Sequence, residues 1–268
     1  MRVLEGKVCV ITGGGSGIGL AMARRFQQAG MHVAIGDIEP AALAAAVESF
    51  PGAASDVLAV RCDVTSLDDM QEFRQAVIDR FGAVHVVCLN AGVAVVGPIT
   101  TTSVRTWKWL LDVNVLGVVH GIDAFAAELV EQGQGHFVLT ASAAGLHSSP
   151  WLGAYSATKH AVVGIATALG DELRDVGVGV SVLCPGLVRT RIFESERNRP
   201  EGLEEIHGDQ AMAESLTKMI ERGVDPADIA EAVYGAVLRE EMFIVPTRDV
   251  SSTIRSRLDQ VRAALPAD

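Results

Sequence analysis

Residues 8–19 read Val-Cys-Val-Ile-Thr-Gly-Gly-Gly-Ser-Gly-Ile-Gly, and this stretch decides the fold. Its first five residues, Val8–Thr12, are mostly β-branched and predict a buried strand, and the amphipathic residues Ile18–Gln28 predict a helix. A glycine-rich turn between a strand and a helix is typical of a dinucleotide site, because free N–H groups at the helix N-terminus bind a pyrophosphate. The glycine cluster alone is a weak signal, and its strand–turn–helix context strengthens it.

The loop residues have separate predicted roles in holding a dinucleotide. Gly13 allows the tight turn, Gly17 lets the backbone approach the pyrophosphate, and Gly19 permits close contact between helix and strand. The predicted cofactor contacts of this loop are Gly13, Gly15, Ser16, Gly17, Ile18 and Gly19.

Short apolar runs alternate with amphipathic stretches along the whole chain, which predicts βαβ units. The predicted strands are Val8–Thr12, His32–Asp37, Val57–Cys62, Val84–Asn90, His136–Ser142, Val178–Cys184 and Met242–Val245. The predicted helices include Ile18–Gln28, Pro40–Ser49, Leu67–Arg80 and a long one from Gly153 to about Asp175. The fold class is therefore α/β, a Rossmann-type doubly wound parallel sheet of about seven strands, with helices on both faces and a crevice at the carboxyl ends of the strands.

The organisation of the chain favours a single domain over residues 1–268. No Pro/Ser-rich linker and no internal repeat divides the sequence, although 268 residues could also make two small domains. Residues 191–223 are rich in Glu and Arg and lack a strand pattern, so we interpret them as an insertion. This insertion is either a mobile substrate lid or a static helical cover.

Composition limits the partners. The chain has 22 basic and 33 acidic residues, a net charge of −11 that repels nucleic acid and anionic membranes. The apolar stretch at the amino terminus is too short for a signal peptide or a membrane span, so we expect a cytoplasmic protein. Four cysteines occur singly in apolar runs, which favours buried reduced thiols over a metal site or disulfides: Cys9, Cys62, Cys88 and Cys184.

Asp37 indicates which cofactor is bound. It ends the second predicted strand, 18 residues after Gly19, where an acidic residue accepts hydrogen bonds from the adenosine ribose. A cap for the helix near Pro40 is the alternative. Neither Ser16 nor Ile38 is a basic residue that would balance a 2′-phosphate, and Asp37 would repel one, so NAD is favoured over NADP.

Two further strand ends are candidate cofactor contacts. Asp63 follows the third strand, where its carboxylate can meet the adenine amino group or cap the helix near Leu67. Asn90-Ala91-Gly92 ends the fourth strand with small residues where the cofactor passes over the backbone.

A tyrosine and a lysine carry the predicted chemistry. Tyr155 and Lys159 are four residues apart on a predicted helix and share one face, and Ser142 ends the fifth strand 13 residues before Tyr155. A surface pair is the alternative, but its position beside a dinucleotide site favours catalysis. Asn114 can either place a water near Lys159 or satisfy a helix carbonyl.

At these residues the sequence resembles the compact, single-domain branch of the short-chain dehydrogenase/reductase family, from about Gly6 to Pro246. The matching positions are Thr12-Gly-x-x-x-Gly-x-Gly19, Asn90-Ala91-Gly92, Asn114, Ser142, Tyr155-x-x-x-Lys159, Pro185-Gly186 and Thr190. The resemblance implies a catalytic tetrad of Asn114, Ser142, Tyr155 and Lys159. It also implies cofactor contacts by Asp63 and Val64 at adenine, by Thr190 at the carboxamide, and by Ile38, Tyr155, Lys159, Pro185, Gly186 and Val188.

The chemistry of the tyrosine agrees with this resemblance. A free tyrosine has a pKa near ~10, and the nearby Lys159 ammonium and the positive nicotinamide favour its phenolate. Tyr155 then accepts the alcohol proton, while Ser142 holds the substrate oxygen. We therefore expect an NAD-dependent oxidoreductase that interconverts a secondary alcohol and its ketone.

Mostly apolar segments are expected to face the substrate and predict a hydrophobic one, although they could instead be core or interface. These segments are Val93–Val96, Leu146-His147, Trp151-Leu152 and Leu187–Phe193. The alternatives are an NADPH-dependent ketoreductase, a non-catalytic NAD-binding regulator and, less favoured, a sugar-nucleotide epimerase. A homodimer through the Tyr155 helix is expected. A homotetramer is left open, because the chain ends in a charged helix, Ser251–Ala264, instead of a Gly-rich ending.

Overall fold

The computed structural model describes residues 3–50, 57–200 and 210–266. These residues form a seven-stranded parallel sheet in the order β3-β2-β1-β4-β5-β6-β7. The strands are β1 Val8–Thr12, β2 His32–Asp37, β3 Val57–Arg61, β4 Val86–Leu89, β5 Gly135–Thr140, β6 Val178–Leu183 and β7 Phe243–Ile244. The predicted α/β class with about seven parallel strands is confirmed.

Helices cover both faces of the sheet. They are α1 Gly17–Gln28, α2 Pro40–Glu48, α3 Leu67–Phe81, α4 Val104–Leu111, α5 Gly117–Gln132, α6 Gly153–Leu173, α7 Gln210–Glu221, α8 Pro226–Arg239 and α9 Ser251–Ala263. Alternate residues of β1 point to opposite faces: Val8 and Val10 join the core under α3, α5 and α6, and Cys9 and Ile11 join the core under α1, α2 and α8. This two-sided burial explains why the strands are nearly continuous in apolar character.

Several strands end earlier than the sequence predicts, and the difference positions the site. Asn90 and Ser142 were expected as the last residues of two strands, but the ladder ends at Leu89 and Thr140. The Asn90 side chain instead bonds to backbone carbonyls of the β1–α1 loop, and the Ser142 hydroxyl accepts a bond from Ala144 N–H. Polar residues that follow a strand thus leave the ladder and turn toward the crevice.

The order of the strands places that crevice. The chain runs outward from β1 to β3, and then returns to β4 on the other side of β1. The connections after β1 and β4 therefore diverge, which opens a cleft at the carboxyl ends of these two strands.

Residues 191–223 lie between β6 and α8, as the sequence predicts for the insertion. The described parts are a 3₁₀ helix, Ile192–Asn198, and α7, while residues 201–209 lie outside the described residues. An isolated parallel bridge between Val188 and Val224 brings the two ends of the segment together.

The helical stretch Val104–Gln132 is 29 residues long and apolar enough to cross a membrane by length and composition alone. It comprises α4, a π-helical turn at Asp112–Leu116, and α5. Its buried residues Val118, Phe125 and Leu129 belong to the core beneath the sheet, as expected for the core helix of an α/β domain.

Candidate active site

The loop after β1 is fixed against the end of β4 by a threonine and an asparagine. The Thr12 hydroxyl accepts hydrogen bonds from the Asn90 N–H at 2.9 Å and the Ala91 N–H at 3.2 Å. The Asn90 amide donates in return to the carbonyls of Thr12 and Gly13, at 3.1 and 3.3 Å. The loop is thus rigidly joined to the strand across the crevice.

The glycines of this loop form a cradle that side chains would fill. Gly13 and Gly17 have φ of +65° and +53°, which favour glycine, and a Cβ on Gly19 would lie 2.1 Å from the carbonyl oxygen of Gly13. The helix α1 begins at Gly17, and its N-cap Ser16 makes no side-chain capping bond. The first N–H groups of α1 thus face a narrow space without a capping side chain, which fits the pyrophosphate of a dinucleotide.

Asp37 holds two loops at the end of β2. Its Oδ2 accepts a hydrogen bond from Gly15 N–H at 2.9 Å, and its Oδ1 accepts one from Glu39 N–H at 3.1 Å. Burial raises the pKa of this carboxyl, against the lowering effect of the two backbone bonds. The N-cap of α2 is Glu39, so Asp37 is not the helix cap, and its carboxylate lines the cleft beside Ser16.

Asp63 lies at the end of β3 and also lines the cleft. Its Oδ1 accepts hydrogen bonds from the backbone N–H and the hydroxyl of Thr65, at 2.9 and 2.8 Å. The cap of α3 is Ser66, whose hydroxyl accepts a bond from Asp69 N–H at 3.1 Å. The capping role considered for Asp63 therefore belongs to Ser66.

Ser142, Tyr155 and Lys159 meet at the other end of the same cleft. Tyr155 and Lys159 lie on the first turns of α6, and Ser142 lies just past β5. The Lys159 Nζ donates to the carbonyl of Thr140 at 2.9 Å and lies 5.7 Å from the centre of the Tyr155 ring. The structure thus brings together the three side chains that the sequence singled out for catalysis.

Burial dominates the protonation of this group. Burial raises the pKa of Tyr155 to about 12, although the hydrogen bond with Ser142 works against it. Burial lowers the pKa of Lys159 to about 8. In the protein alone, Tyr155 is therefore a neutral phenol at pH 7, able to donate a proton, and Lys159 is close to losing its charge.

Asn114 lies within the π-helical turn and is fully buried. Its Oδ1 accepts a bond from Val93 N–H at 2.8 Å, and its Nδ2 donates to the Val93 carbonyl at 2.9 Å and to the Thr158 hydroxyl at 3.0 Å. The side chain thus satisfies backbone groups of the loop after β4 instead of a helix carbonyl. It joins that loop to α6 at Thr158, whose hydroxyl donates to the Tyr155 carbonyl at 2.7 Å. Placement of a water stays a prediction.

Most predicted site residues line this one cleft. They are Gly13, Ser16, Gly17, Ile18, Asp37, Ile38, Asp63, Val64, Asn90, Ala91, Gly92, Ser142, Tyr155, Lys159, Pro185, Gly186, Val188 and Thr190. Gly15, Gly19 and Asn114 are not part of the lining. Gly15 and Gly19 lie in the loop that shapes the cradle, and Asn114 lies behind the wall.

The substrate side of the cleft is partly as predicted. Val93 lines it together with the apolar side chains of Trp109, Val113, Ile192 and Ile220. Across the described residues, the lining does not include Leu146-His147 or Trp151-Leu152. The His147 side chain instead lines a separate polar pocket beside α9, which does not favour a role as a second catalytic base.

Sequence reasoning missed residues that act through hydrogen bonds to distant backbone. The Thr140 carbonyl holds Lys159, and the buried Ser195 hydroxyl accepts a bond from Ala94 N–H at 3.0 Å. Glu39 and Arg197 line the cofactor end of the cleft and form an ion pair. No sequence pattern marks Ser195, because its hydrogen-bond partner Ala94 lies 101 residues away along the chain.

The four cysteines are free and buried, and no group of three or more His, Cys, Asp or Glu among the residues described could hold a metal ion.

Comparisons with known proteins agree with this geometry. Residues 7–201 match the short chain dehydrogenase family. The chain belongs to that family.

Individual relatives cover nearly the whole chain. A solved short chain dehydrogenase/reductase from Burkholderia phymatum, in complex with NAD, is 36% identical with a TM-score of 0.94, over 100% of this chain and 99% of that chain. The 1-deoxy-11-beta-hydroxypentalenate dehydrogenase of Streptomyces exfoliatus is 31% identical over 96% of this chain and 89% of its own length. A diacetyl reductase [(S)-acetoin forming] of Staphylococcus epidermidis is 32% identical over 85% of this chain and 90% of its own length. The chain is thus an oxidoreductase that acts on small alcohol or ketone substrates, and its fold binds a nicotinamide cofactor.

Proposed function

We propose that this protein is an NAD-dependent dehydrogenase that interconverts a hydrophobic secondary alcohol and its ketone. The observation that carries the proposal is the single cleft. The glycine cradle and Asp37 line one end of this cleft, and Ser142, Tyr155 and Lys159 line the other end. A pure NAD-binding regulator would need the first end but not the second.

The residues of the chain divide the work of the reaction. NAD, held by the glycine cradle and Asp37, would supply the hydride acceptor for alcohol oxidation and, as NADH, the hydride donor for ketone reduction. Tyr155 takes the hydroxyl proton in oxidation and gives it back in reduction, and Ser142 holds the substrate oxygen. Lys159 places its positive charge near the Tyr155 ring and favours the phenolate, which opposes the effect of burial on the pKa of Tyr155.

NAD is preferred over NADP because a carboxylate occupies the ribose end of the cleft. Asp37 can accept hydrogen bonds from a ribose diol and repels a 2′-phosphate, and neither Ser16 nor Ile38 can balance that phosphate. The solved relative from Burkholderia phymatum is in complex with NAD, which supports the same choice.

The substrate is hydrophobic because its side of the cleft is lined by Val93, Trp109, Val113, Ile192 and Ile220. The names of the two curated relatives, a hydroxypentalenate dehydrogenase and a diacetyl reductase, also indicate alcohol or ketone chemistry. We further propose that residues 191–223 act as the lid over this side, within a single domain.

The protein is proposed to be a cytoplasmic homodimer, with no nucleic-acid or membrane partner. Leu111, Leu116 and Val119 are 40 to 43% exposed on the stretch that contains α4 and α5, which leaves an apolar surface for a second copy. The net charge of −11 disfavours polyanions.

A turnover screen of the pure protein against a panel of secondary alcohols tests the function. Formation of NADH at 340 nm is expected, with bulky apolar alcohols preferred to small polar ones and NAD preferred to NADP. Replacing Asp37 by Ser should narrow the preference for NAD, because it weakens the diol contact and relieves the repulsion. Equal turnover with NADP in the parent protein would favour the NADPH-dependent ketoreductase instead.

A further inference from the structure

Glu39 connects the ribose end of the cleft to the insertion. It is the N-cap residue of α2, two residues after Asp37, but its side chain makes no capping bond. Its Oε1 instead accepts hydrogen bonds from Arg197 Nε and Asn198 Nδ2, each at 3.0 Å. Both partners belong to the 3₁₀ helix Ile192–Asn198, more than 150 residues further along the chain.

Arg197 is held in this place from two sides. Besides Glu39, its Nη1 donates to the carbonyls of Glu194 at 2.8 Å and Arg191 at 3.2 Å. The paired side chains of Arg197 and Glu39 are 26% and 28% exposed, so solvent screens the pair only in part. The guanidinium is therefore an ordered positive charge in the wall of the cleft.

This charge lies at the end of the cleft that Asp37 marks. Asp37, Glu39 and Arg197 line the same cleft, and Asp37 Oδ1 accepts the Glu39 N–H bond at 3.1 Å. Two carboxylates thus accompany the Arg197 guanidinium, and Arg191, which also lines the cleft, is paired with Glu194 at 2.6 Å. Burial acts against the ionised form of Glu39, but the Asn198 bond and the Arg197 charge outweigh it and lower the pKa of Glu39.

An unpaired guanidinium at this end of the cleft would favour NADP, because it could bind the 2′-phosphate. Arginine binds phosphate through a planar fork of N–H donors, usually in a bidentate way. The positions directly after the second strand hold no basic residue, but Arg197, from a distant segment of the chain, lies at the same end of the cleft. Its pairing with Glu39 compensates this charge, and acts in addition to the repulsion of a 2′-phosphate by Asp37.

We propose that Glu39 is a specificity-determining residue, which binds Arg197 in an ion pair and so withholds from NADP a cation that the fold already places at the ribose end. This inference rests on the proposed NAD-dependent function. It predicts that loss of the Glu39 carboxylate admits a 2′-phosphate through Arg197, while Asp37 remains in place.

The test measures binding of the adenosine half alone, so that it does not depend on turnover. The probes are 5′-AMP and 2′,5′-ADP, titrated by calorimetry against the parent protein and the Glu39→Gln variant. Gln keeps an oxygen acceptor for Asn198 but removes the charge. We expect the ratio of affinities, 2′,5′-ADP over 5′-AMP, to rise about tenfold, which corresponds to ~1.4 kcal/mol.

Three further variants identify the cause of that change. Glu39→Gln combined with Arg197→Gln should lose the gain, and Glu39→Gln combined with Arg197→Lys should keep only part of it. Glu48→Gln removes the same charge from an exposed position on the same helix, and should leave the ratio unchanged within about twofold.

The results separate the inference from the function on which it rests. A gain that persists without Arg197, or that Glu48→Gln reproduces, shows a general charge effect and overturns the inference. An unchanged ratio in a Glu39→Gln variant with parental thermal stability also overturns it. If instead the parent protein prefers 2′,5′-ADP, the proposed NAD preference fails, whatever the variants show.

Discussion

The two ends of the cleft are built in different ways. At the cofactor end, short loops that follow β1, β2 and β4 are fixed by bonds between side chains and backbone, such as those of Thr12, Asp37 and Asn90. At the substrate end, one wall comes from the insertion. In its ion pairs Arg191–Glu194 and Arg199–Glu196 the two partners are three residues apart, and at least one side chain of each pair is exposed to solvent. Exposed pairs contribute little stability. We therefore expect a rigid cofactor end and an adjustable substrate end.

The proposed catalytic residues lie between these two ends of the cleft. Tyr155 and Lys159 lie on the long helix α6, where Lys159 is buried against the end of β5 and Tyr155 is half-buried. Burial favours the neutral form of both side chains, so alcohol oxidation, which needs the Tyr155 phenolate, requires further positive charge near the ring. The catalytic group thus belongs structurally to the rigid part of the molecule.

The largest expected effect is that of Tyr155→Phe. The ring and its packing on α6 remain, but the proton donor and acceptor is lost, so turnover should fall at least ~100-fold. Binding of NADH, followed by its fluorescence, should be retained because the rigid cofactor end is unchanged.

The matched control is Tyr234→Phe. Tyr234 is the only other tyrosine of the chain, and it packs against Phe26 on the opposite face of the sheet. It should keep near-parental turnover. Near-parental turnover in Tyr155→Phe would contradict the assignment of Tyr155 as the acid–base, although nicotinamide binding could survive that result.

Lys159→Met should lower the activity of the protein but raise its stability. Loss of the cation should raise the apparent pKa for alcohol oxidation and reduce turnover near neutral pH by ~10-fold or more, since an opposite charge shifts a pKa by roughly 1–3 units. The variant should nevertheless melt at a higher temperature than the parent below pH 8, because burying the ammonium costs folding free energy.

The pH dependence of that stability difference follows from the pKa of Lys159, which burial lowers from 10.5 to about 8. Below pH 8 both the folded and the unfolded parent carry the proton, and the full cost of burial is present. Between about pH 8 and 10.5 the folded lysine is neutral first, so the parent gains stability and the difference shrinks. Melting curves at pH 6 to 10 measure this. The control Lys108→Met, at an exposed position of α4, should show no such window, and a destabilised Lys159→Met would refute the argument.

The cofactor end could be predicted from the sequence because its signals are local. The glycines, Asp37 and Asn90 each follow a strand whose apolar run is evident, so the topology alone brings them to one edge. Tyr155 and Lys159 were found through their helical spacing, and Ser142 through its position after a strand.

The substrate end could not be predicted in the same way. Its walls depend on contacts between distant segments, such as Ala94 N–H with Ser195, and Glu39 with Arg197. Neither pair has a spacing that a sequence pattern could show. Their apolar or aromatic character predicts Leu146-His147 and Trp151-Leu152 as substrate contacts, but neither segment lines the cleft, and His147 lines a separate polar pocket.

The smallest expected effect concerns the insertion, residues 191–223, as a lid. Hydrogen exchange should slow in the described parts, 191–200 and 210–223, when NAD and a substrate alcohol are both present. Cofactor alone should give a smaller effect, because its proposed contacts include Thr190 but not the apolar wall formed by Ile192 and Ile220. Peptides of α8 serve as the internal reference, since that helix packs against α1 away from the cleft.

Ser195→Ala shows whether the contact between the insertion and the loop after β4 governs this motion. The Ser195 hydroxyl accepts the Ala94 N–H bond at 3.0 Å, and its loss should leave that buried N–H without its partner and speed exchange across 191–200 in the free protein. Saturating ligands should restore most of the protection, because the substrate adds new contacts to the same wall. The Michaelis constant for the alcohol should rise by a few fold, with the affinity for NAD nearly unchanged. Equal exchange with and without ligands, in both the parent and the variant, would identify the insertion as a static cover.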